Sequence, residues 1–406
     1  MNLARRVCRS VPVLWLAIGL LGQALCSRTA LASDWQQEIS RLAGPEGVVL
    51  VVDRDGEVLL DVGVGEAFVP ASILKIPTCL LAAHYLGMDY RFSTEFFLEG
   101  DQLVVRGRGD PMLVSEELDR AVTALVPLLA GRKLTGIGID DSFFVEGITI
   151  PGVGGSDNPY DALNSATAVN FNTINVVVQG SQVRSAEAQT PLTPLARKVA
   201  LRRGVQGKLR VNLSSDPVEV RAYAAELIAA KLRGAGVELG TEYGPARATM
   251  ATPLYIHRSS KRLADACQGL LHYSNNYIAN QVFLAVGAEV RGAPATLEKS
   301  VAVAADFIAA RPELKGLVMT EGSGISYQNR ATAAAMIGAL GLFEPHRKLL
   351  KPRAGSDNKT GTLAITRSVA GYLDTERHGT VRFVISLDAS GHWTRWKIVE
   401  LLKKAL

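Results

Sequence analysis

Residues 69–78 read VPASILKIPT, and two of them can do chemistry together. Ser72 and Lys75 are three apart, so on a helix the hydroxyl and the amine share a face. Ala71, Ile73, Leu74 and Ile76 surround the lysine with apolar groups, which strip its hydration and lower its pKa. A lysine tuned in this way is a usable base, and a serine beside it becomes an activated nucleophile. The spacing alone is weak: S-x-x-K arises by chance about once in a chain this long, and lysine stems commonly snorkel past apolar faces.

Two further patterns bear on the pair. Lys359-Thr360-Gly361 occurs once, opening a strand-like run. Such a strand lays Lys359, Thr360 and Thr362 along a carboxylate, while Gly361 lets the backbone approach closely. The Thr362 amide joins that of Ser72 as a candidate oxyanion hole. S-x-N occurs at Ser156-Asp157-Asn158, Ser274-Asn275-Asn276 and Ser356-Asp357-Asn358. The last abuts Lys359 and so cannot face it across a cleft. The first lies among glycines and Pro159, in a loop-like stretch. Ser274 and Asn276 fall where two helical patterns join, a rigid place from which to aim short polar side chains, and are preferred. The copy at 156–158 stays as the alternative.

The elements that must position these residues follow from hydrophobic periodicity. Residues 47–65 read as a hairpin turning at 53–56, and Pro70 precedes a helix over about 72–86, with Ser72 in its first turn. From about 90 to 250 the chain shows short β-like runs, frequent Gly and Pro, and one helix near 220–232. Helices dominate from about 253. Strands then return, closed by an amphipathic helix at 394–405. That last helix is expected to pack on the terminal sheet, with at most peripheral membrane contact. The order describes an α/β (α+β) domain, an antiparallel sheet flanked by helices, split by a large β-rich insertion. The expected divisions are 1–32, 33–89, 90–250 and 251–406.

Residues 1–32 have the form of a signal peptide: Arg5, Arg6 and Arg9, then an apolar run over 11–25, then Ala30-Leu31-Ala32 before Ser33. Export and an extracytoplasmic or periplasmic location follow as expectations. The chain of 406 residues carries 44 basic and 39 acidic side chains. Loss of the segment's four arginines leaves 40 against 39, so the basic balance belongs largely to the leader. No basic stripe or zinc spacing supports nucleic-acid binding, and the six histidines form no metal-ligand pattern, so no cofactor is expected. Cys79 and Cys267 both sit in apolar helical patterns, where buried free thiols are the commoner state; a bridge between them is left open.

With these motifs in place, the chain resembles the class C low-molecular-mass penicillin-binding proteins, the D-alanyl-D-alanine carboxypeptidase/endopeptidase family. Six ordered stretches carry the resemblance: PASILKIPT (70–78), GRGDPML (107–113), NPYDALNSATAVNFNTINV (158–176), SKRLADACQGLLHYSNNYIANQVF (260–283), EGSGISYQNRATA (321–333) and NKTGTLAITRSVAGYL (358–373). The interval of 202 residues from Ser72 to Ser274 separates it from class A β-lactamases. The resemblance implies a serine transpeptidase/β-lactamase-like fold and a serine D,D-peptidase of peptidoglycan stem peptides, acylated by β-lactams, with endopeptidase action on cross-links open. It implies Ser72 as nucleophile, Lys75 as base, Ser274 as proton relay, and Asn276, Lys359, Thr360, Gly361 and Thr362 around the substrate. Two other readings stand beside it: a catalytically weak penicillin- and peptidoglycan-binding protein, and a β-lactamase-like hydrolase of another amide or ester. Departures are Glu321 for the family's usual Asp, a short 324–359 stretch, and polar GSDN before Lys359. Oligomeric state is not legible.

Overall fold

The computed structural model describes residues 34–406 except Val205. The expected leader, with its arginines, lies outside the described residues. The first hairpin, Val48–Val52 and Val58–Val62, forms as expected. Its first strand is buried along its whole length and pairs antiparallel with Gly379–Leu387 near the other end of the chain. Together with Lys351–Arg353, Ser356–Thr362 and Arg367–Thr375 these strands make one six-stranded antiparallel sheet.

Each face of that sheet buries a separate core. On one side Val369, Leu373, Val381 and Phe383 meet Ile398, Val399 and Leu402 of the terminal helix Thr394–Ala405 and Ile39 of the helix Asp34–Ala43. The terminal helix therefore packs on the sheet, as its periodicity requires. On the other side Ala370, Tyr372 and Val384 meet the helices Lys75–Leu86, Leu263–His272, Asn276–Arg291, Leu297–Ala309 and Ala333–Phe343. Each Leu, Ile, Val or Phe buried there contributes about 1.5–3 kcal/mol, so the helix bearing Lys75 is locked between sheet and helices. Among the described residues no helix is long and apolar enough to cross a membrane.

The insertion has its own core and two sheets of its own. Five strands run Tyr255–Arg258, Ser93–Glu99, Gln102–Gly107, Lys133–Asp140 and Glu238–Pro245; three more run Gln182–Ser185, Thr173–Gln179 and Gly207–Asn212. The strand Tyr255–Arg258 lies just beyond the expected limit at 250. The expectation of one helix is corrected to three: Ser115–Leu128, Pro194–Arg202 and Pro217–Gly234. Gln102–Gly107, Lys133–Asp140 and Glu238–Pro245 pair in parallel, and parallel neighbours need crossovers, which the first and third of these helices supply. Pro127 inside the last turn of Ser115–Leu128 disguised that helix in the sequence.

Candidate active site

The nucleophile turn forms in an unusual way. Ser72 lies in a short 3-10 turn, Ala71–Leu74, and the α-helix proper begins at Lys75, so the expected first α-turn is corrected to a tighter one. Ala71 has φ +52, a left-handed conformation that costs a non-glycine residue free energy and persists only where its surroundings enforce it. Two glycines and a serine enforce it here. A Cβ on Gly361 would meet Pro70 O at 2.8 Å and Ala71 Cβ at 2.9 Å; one on Gly324 would meet Ala71 O at 2.0 Å. Ser368 Oγ donates to Pro70 O at 2.7 Å. The Lys359-Thr360-Gly361 motif, which lies in the second half of the strand Ser356–Thr362 rather than opening one, is therefore pressed against the turn that carries Ser72.

Lys75 is fully buried and its amine has three partners: Ser72 Oγ at 3.0 Å, Asn276 Oδ1 at 2.8 Å and the Ser323 carbonyl at 2.6 Å. Burial pushes Lys75 down to about 7, partly opposed by the negative charge of Glu321. The partner set matters for the chemistry. A neutral amine has two N–H bonds and one lone pair, and Asn276 Oδ1 and Ser323 O can only accept. Both N–H bonds are thus consumed, and the lone pair is left for the Ser72 hydroxyl.

Opposite lies the helix join. Ser274 has φ +54, and Asn275 caps the next helix by accepting from the Ile278 amide at 3.0 Å. Ser274 Oγ accepts from Lys359 Nζ at 2.9 Å, and Lys359 also donates to its neighbour's carbonyl, Thr360 O, at 2.7 Å. Burial, with help from the charges of Lys75 and Arg395, holds Lys359 well below the usual lysine range. Arg395 ties the strand down from the far face, donating to Gly361 O at 2.8 Å and Ser368 O at 3.0 Å. Ser72, Lys75 and Asn276 thus form one bonded cluster and Ser274 with Lys359 another. A cavity of about 310 Å³ opens along Ser274, Lys359 and Thr360. A larger one, about 510 Å³, lies in the insertion against Glu117 and Asn170 and touches none of these residues.

The other S-x-N copies serve local turns. Asn158 is exposed and donates to Ser156 Oγ at 2.8 Å and Tyr160 Oη at 2.7 Å. Asn358 donates to Arg353 O at 3.0 Å and Ser356 Oγ at 2.8 Å, closing the strand turn. Cys79 and Cys267 are both free and buried, each against the other. Sequence reasoning gave no role to Asn280, whose Oδ1 accepts from the Gly322 amide at 2.7 Å. Its signal was a polar residue one helical turn after Asn276, on the same helix face.

Known proteins resemble the chain as follows. A sequence model of the D-Ala-D-Ala carboxypeptidase 3 (S13) family matches residues 28–351. A D-alanyl-D-alanine carboxypeptidase of Actinomadura sp. (strain R39) is 26% identical over 439 residues, covering 93% of this chain and 79% of that protein. Penicillin-binding protein 4 of Haemophilus influenzae superposes with a TM-score of 0.71 at 17% identity, over 91% of this chain and 99% of that one. A predatory endopeptidase of Bdellovibrio bacteriovorus, in complex with its immunity protein, does so with a TM-score of 0.51 at 17% identity, over 87% and 89%. These two likenesses bear out the fold read from the sequence.

Proposed function

The chain belongs to the D-Ala-D-Ala carboxypeptidase 3 (S13) family, and from that premise we propose that Ser72, Lys75, Ser274, Asn276 and Lys359 are its working residues in cleaving peptidoglycan stem peptides. Neutral Lys75 takes the Ser72 proton as Oγ bonds to the penultimate D-Ala carbonyl carbon. The Ser72 and Thr362 amides hold the oxyanion. The carbon–nitrogen bond then breaks as the proton taken by Lys75 is relayed through Ser274 to the departing amine, which leaves Lys75 neutral and Ser274 a hydroxyl again. Lys359, Thr360 and Thr362 hold the terminal carboxylate, whose negative charge opposes the desolvation that lowers Lys359 and favours its charged form. Asn276 bonds the substrate backbone and fixes Lys75. Water, deprotonated by Lys75, hydrolyses the ester and regenerates Ser72.

The observation that carries this reading is the amine of Lys75, buried and 3.0 Å from Ser72 Oγ, with both of its other contacts acceptors. Export with cleavage after Ala32 belongs to the same proposal, since stem peptides lie outside the cytoplasm. A D,D-endopeptidase activity on cross-links is its second part. The test is intact mass after exposure to benzylpenicillin, together with D-Ala release from a stem pentapeptide. A single adduct, lost in Ser72→Ala along with D-Ala release, is expected. Release that survives Ser72→Ala overturns the mechanism. An adduct that never turns over, without D-Ala release, moves the weak binding-protein reading to the front.

A further inference from the structure

Lys75 is held by a carbonyl that is itself held from behind. Glu321 is fully buried, and among the described residues no Lys, Arg or His lies within ion-pair distance of its carboxylate. It is satisfied instead by its own turn. Oε2 accepts from the Ser323 amide and hydroxyl, both at 2.7 Å; Oε1 accepts from the Gly324 amide at 2.6 Å, Asn329 Nδ2 at 2.7 Å and the Ser326 amide at 3.4 Å. The Gly324 amide belongs to the same peptide unit as the Ser323 carbonyl. In a trans peptide N–H and C=O point in opposite directions, so a carboxylate that takes the N–H sends the C=O the other way. The other way is Lys75, 2.6 Å from Ser323 O. A charged acceptor on the N–H also polarises the unit, which strengthens its carbonyl as an acceptor.

The turn is clamped on both sides. Thr78 Oγ1 donates to Gly322 O at 2.6 Å from the helix of Lys75, and Asn280 Oδ1 accepts from the Gly322 amide from the helix of Asn276. A Cβ on Gly322 would lie 2.7 Å from that of Phe283, so the turn sits directly on the second helix.

We propose that Glu321 is a positioning residue for acylation: its carboxylate folds the 321–326 turn so that the Ser323 carbonyl aims the Lys75 amine at Ser72. The proposal rests on Lys75 being the base, as set out above. The titratable and charged groups facing Lys75 are Cys79 on its own helix, Lys359 from the strand and Glu321 from the turn; Cys267 stands behind Cys79 and Arg395 behind Lys359. The charge of Glu321 raises Lys75 against the effect of burial, so its removal lowers the pH at which Lys75 becomes neutral.

The experiment is the rate of acylation by benzylpenicillin against pH for the full-length mature enzyme and for Glu321→Gln and Glu321→Asp. Gln presents an NH₂ to peptide N–H groups. A tenfold or greater loss of rate is expected, with the acid limb moved to lower pH. Asp keeps the charge, so its limb is expected to stay at the wild-type position even if the rate falls. Should Glu321→Gln fail to fold, Asn329→Ala removes one partner from the oxygen that holds the Gly324 amide, and a smaller change in the same direction is expected. A limb and rate that match wild type, or a loss of melting temperature with the profile unmoved in both variants, overturns the proposal. A wild-type enzyme that gives no adduct at all defeats the Lys75 reading instead, so the two failures are distinguishable.

Discussion

At the residue scale the site is a problem of placing protons. Two buried lysines flank the site, and both are pushed below the ordinary lysine range by burial. They are separated by function through their partners. Lys75 faces acceptors and one hydroxyl; Lys359 faces the Ser274 hydroxyl and a backbone carbonyl. Because Lys75 titrates at about 7 and only its neutral form is a base, acylation by benzylpenicillin is expected to rise as pH increases through about 7 and then level off. A rate already at its plateau at pH 5 would mean that Lys75 is not the titrating group. Ser274→Ala removes the partner of Lys359 and the relay, and is expected to cut D-Ala release by a factor of roughly 10²–10⁴, the usual worth of a positioned acid–base group. Ser156→Ala, in a loop that bonds to Asn212 and touches neither Ser72 nor Lys75, is expected to leave it unchanged, and the reverse pattern would transfer the role to residues 156–158.

At the element scale the strained Ala71 turn depends on glycines brought from elsewhere. Gly324 has φ +82 and no room for a methyl against Ala71 O, so Gly324→Ala is expected to destabilise by about 1–3 kcal/mol and to slow acylation by moving Ser72. Gly65 has neither constraint, and Gly65→Ala should cost neither stability nor rate. Thermal melts beside acylation rates check both, and equal effects would show that the turn does not depend on close packing. The same dependence explains what the sequence could reveal. S-x-x-K, K-T-G, the first hairpin and the terminal helix were legible because each is written in residues a few positions apart. Ser274 and Asn276 could be preferred because a helix join is visible in periodicity. The Ser323 carbonyl was not legible: it meets Lys75 across 248 residues, and a backbone carbonyl has no letter of its own. Glu321 stood out only as a departure from a pattern. Of the insertion's two crossover helices, Pro217–Gly234 was legible near 220–232, whereas Ser115–Leu128 was missed because the parallel pairing that requires it is a property of the assembled sheet.

At the scale of the whole molecule the cleft is a cost that the rest of the fold sustains. A lysine unfolded in water keeps its proton to about 10.4, whereas folded Lys75 gives it up near 7. Between these values the unfolded chain binds more protons than the folded one, so stability rises with pH. The cost is greatest below about 7 and fades as pH approaches the unfolded value. For one such lysine the slope approaches about 1.4 kcal/mol per pH unit once pH is well above 7. The buried Cys79 thiol, pushed up, acts in the opposite direction only where an unfolded thiol ionises, at about 8.5 and above, which leaves pH 7 to 8.5 as the clean window. Lys75→Met keeps an unbranched side chain, one atom shorter, and discards the titration. Its melting temperature is expected to rise less steeply than that of wild type between pH 7 and 8.5, with the slope due to Lys359 remaining in both. Parallel slopes would mean that Lys75 stays charged in the folded protein, and a charged Lys75 cannot take the proton of Ser72.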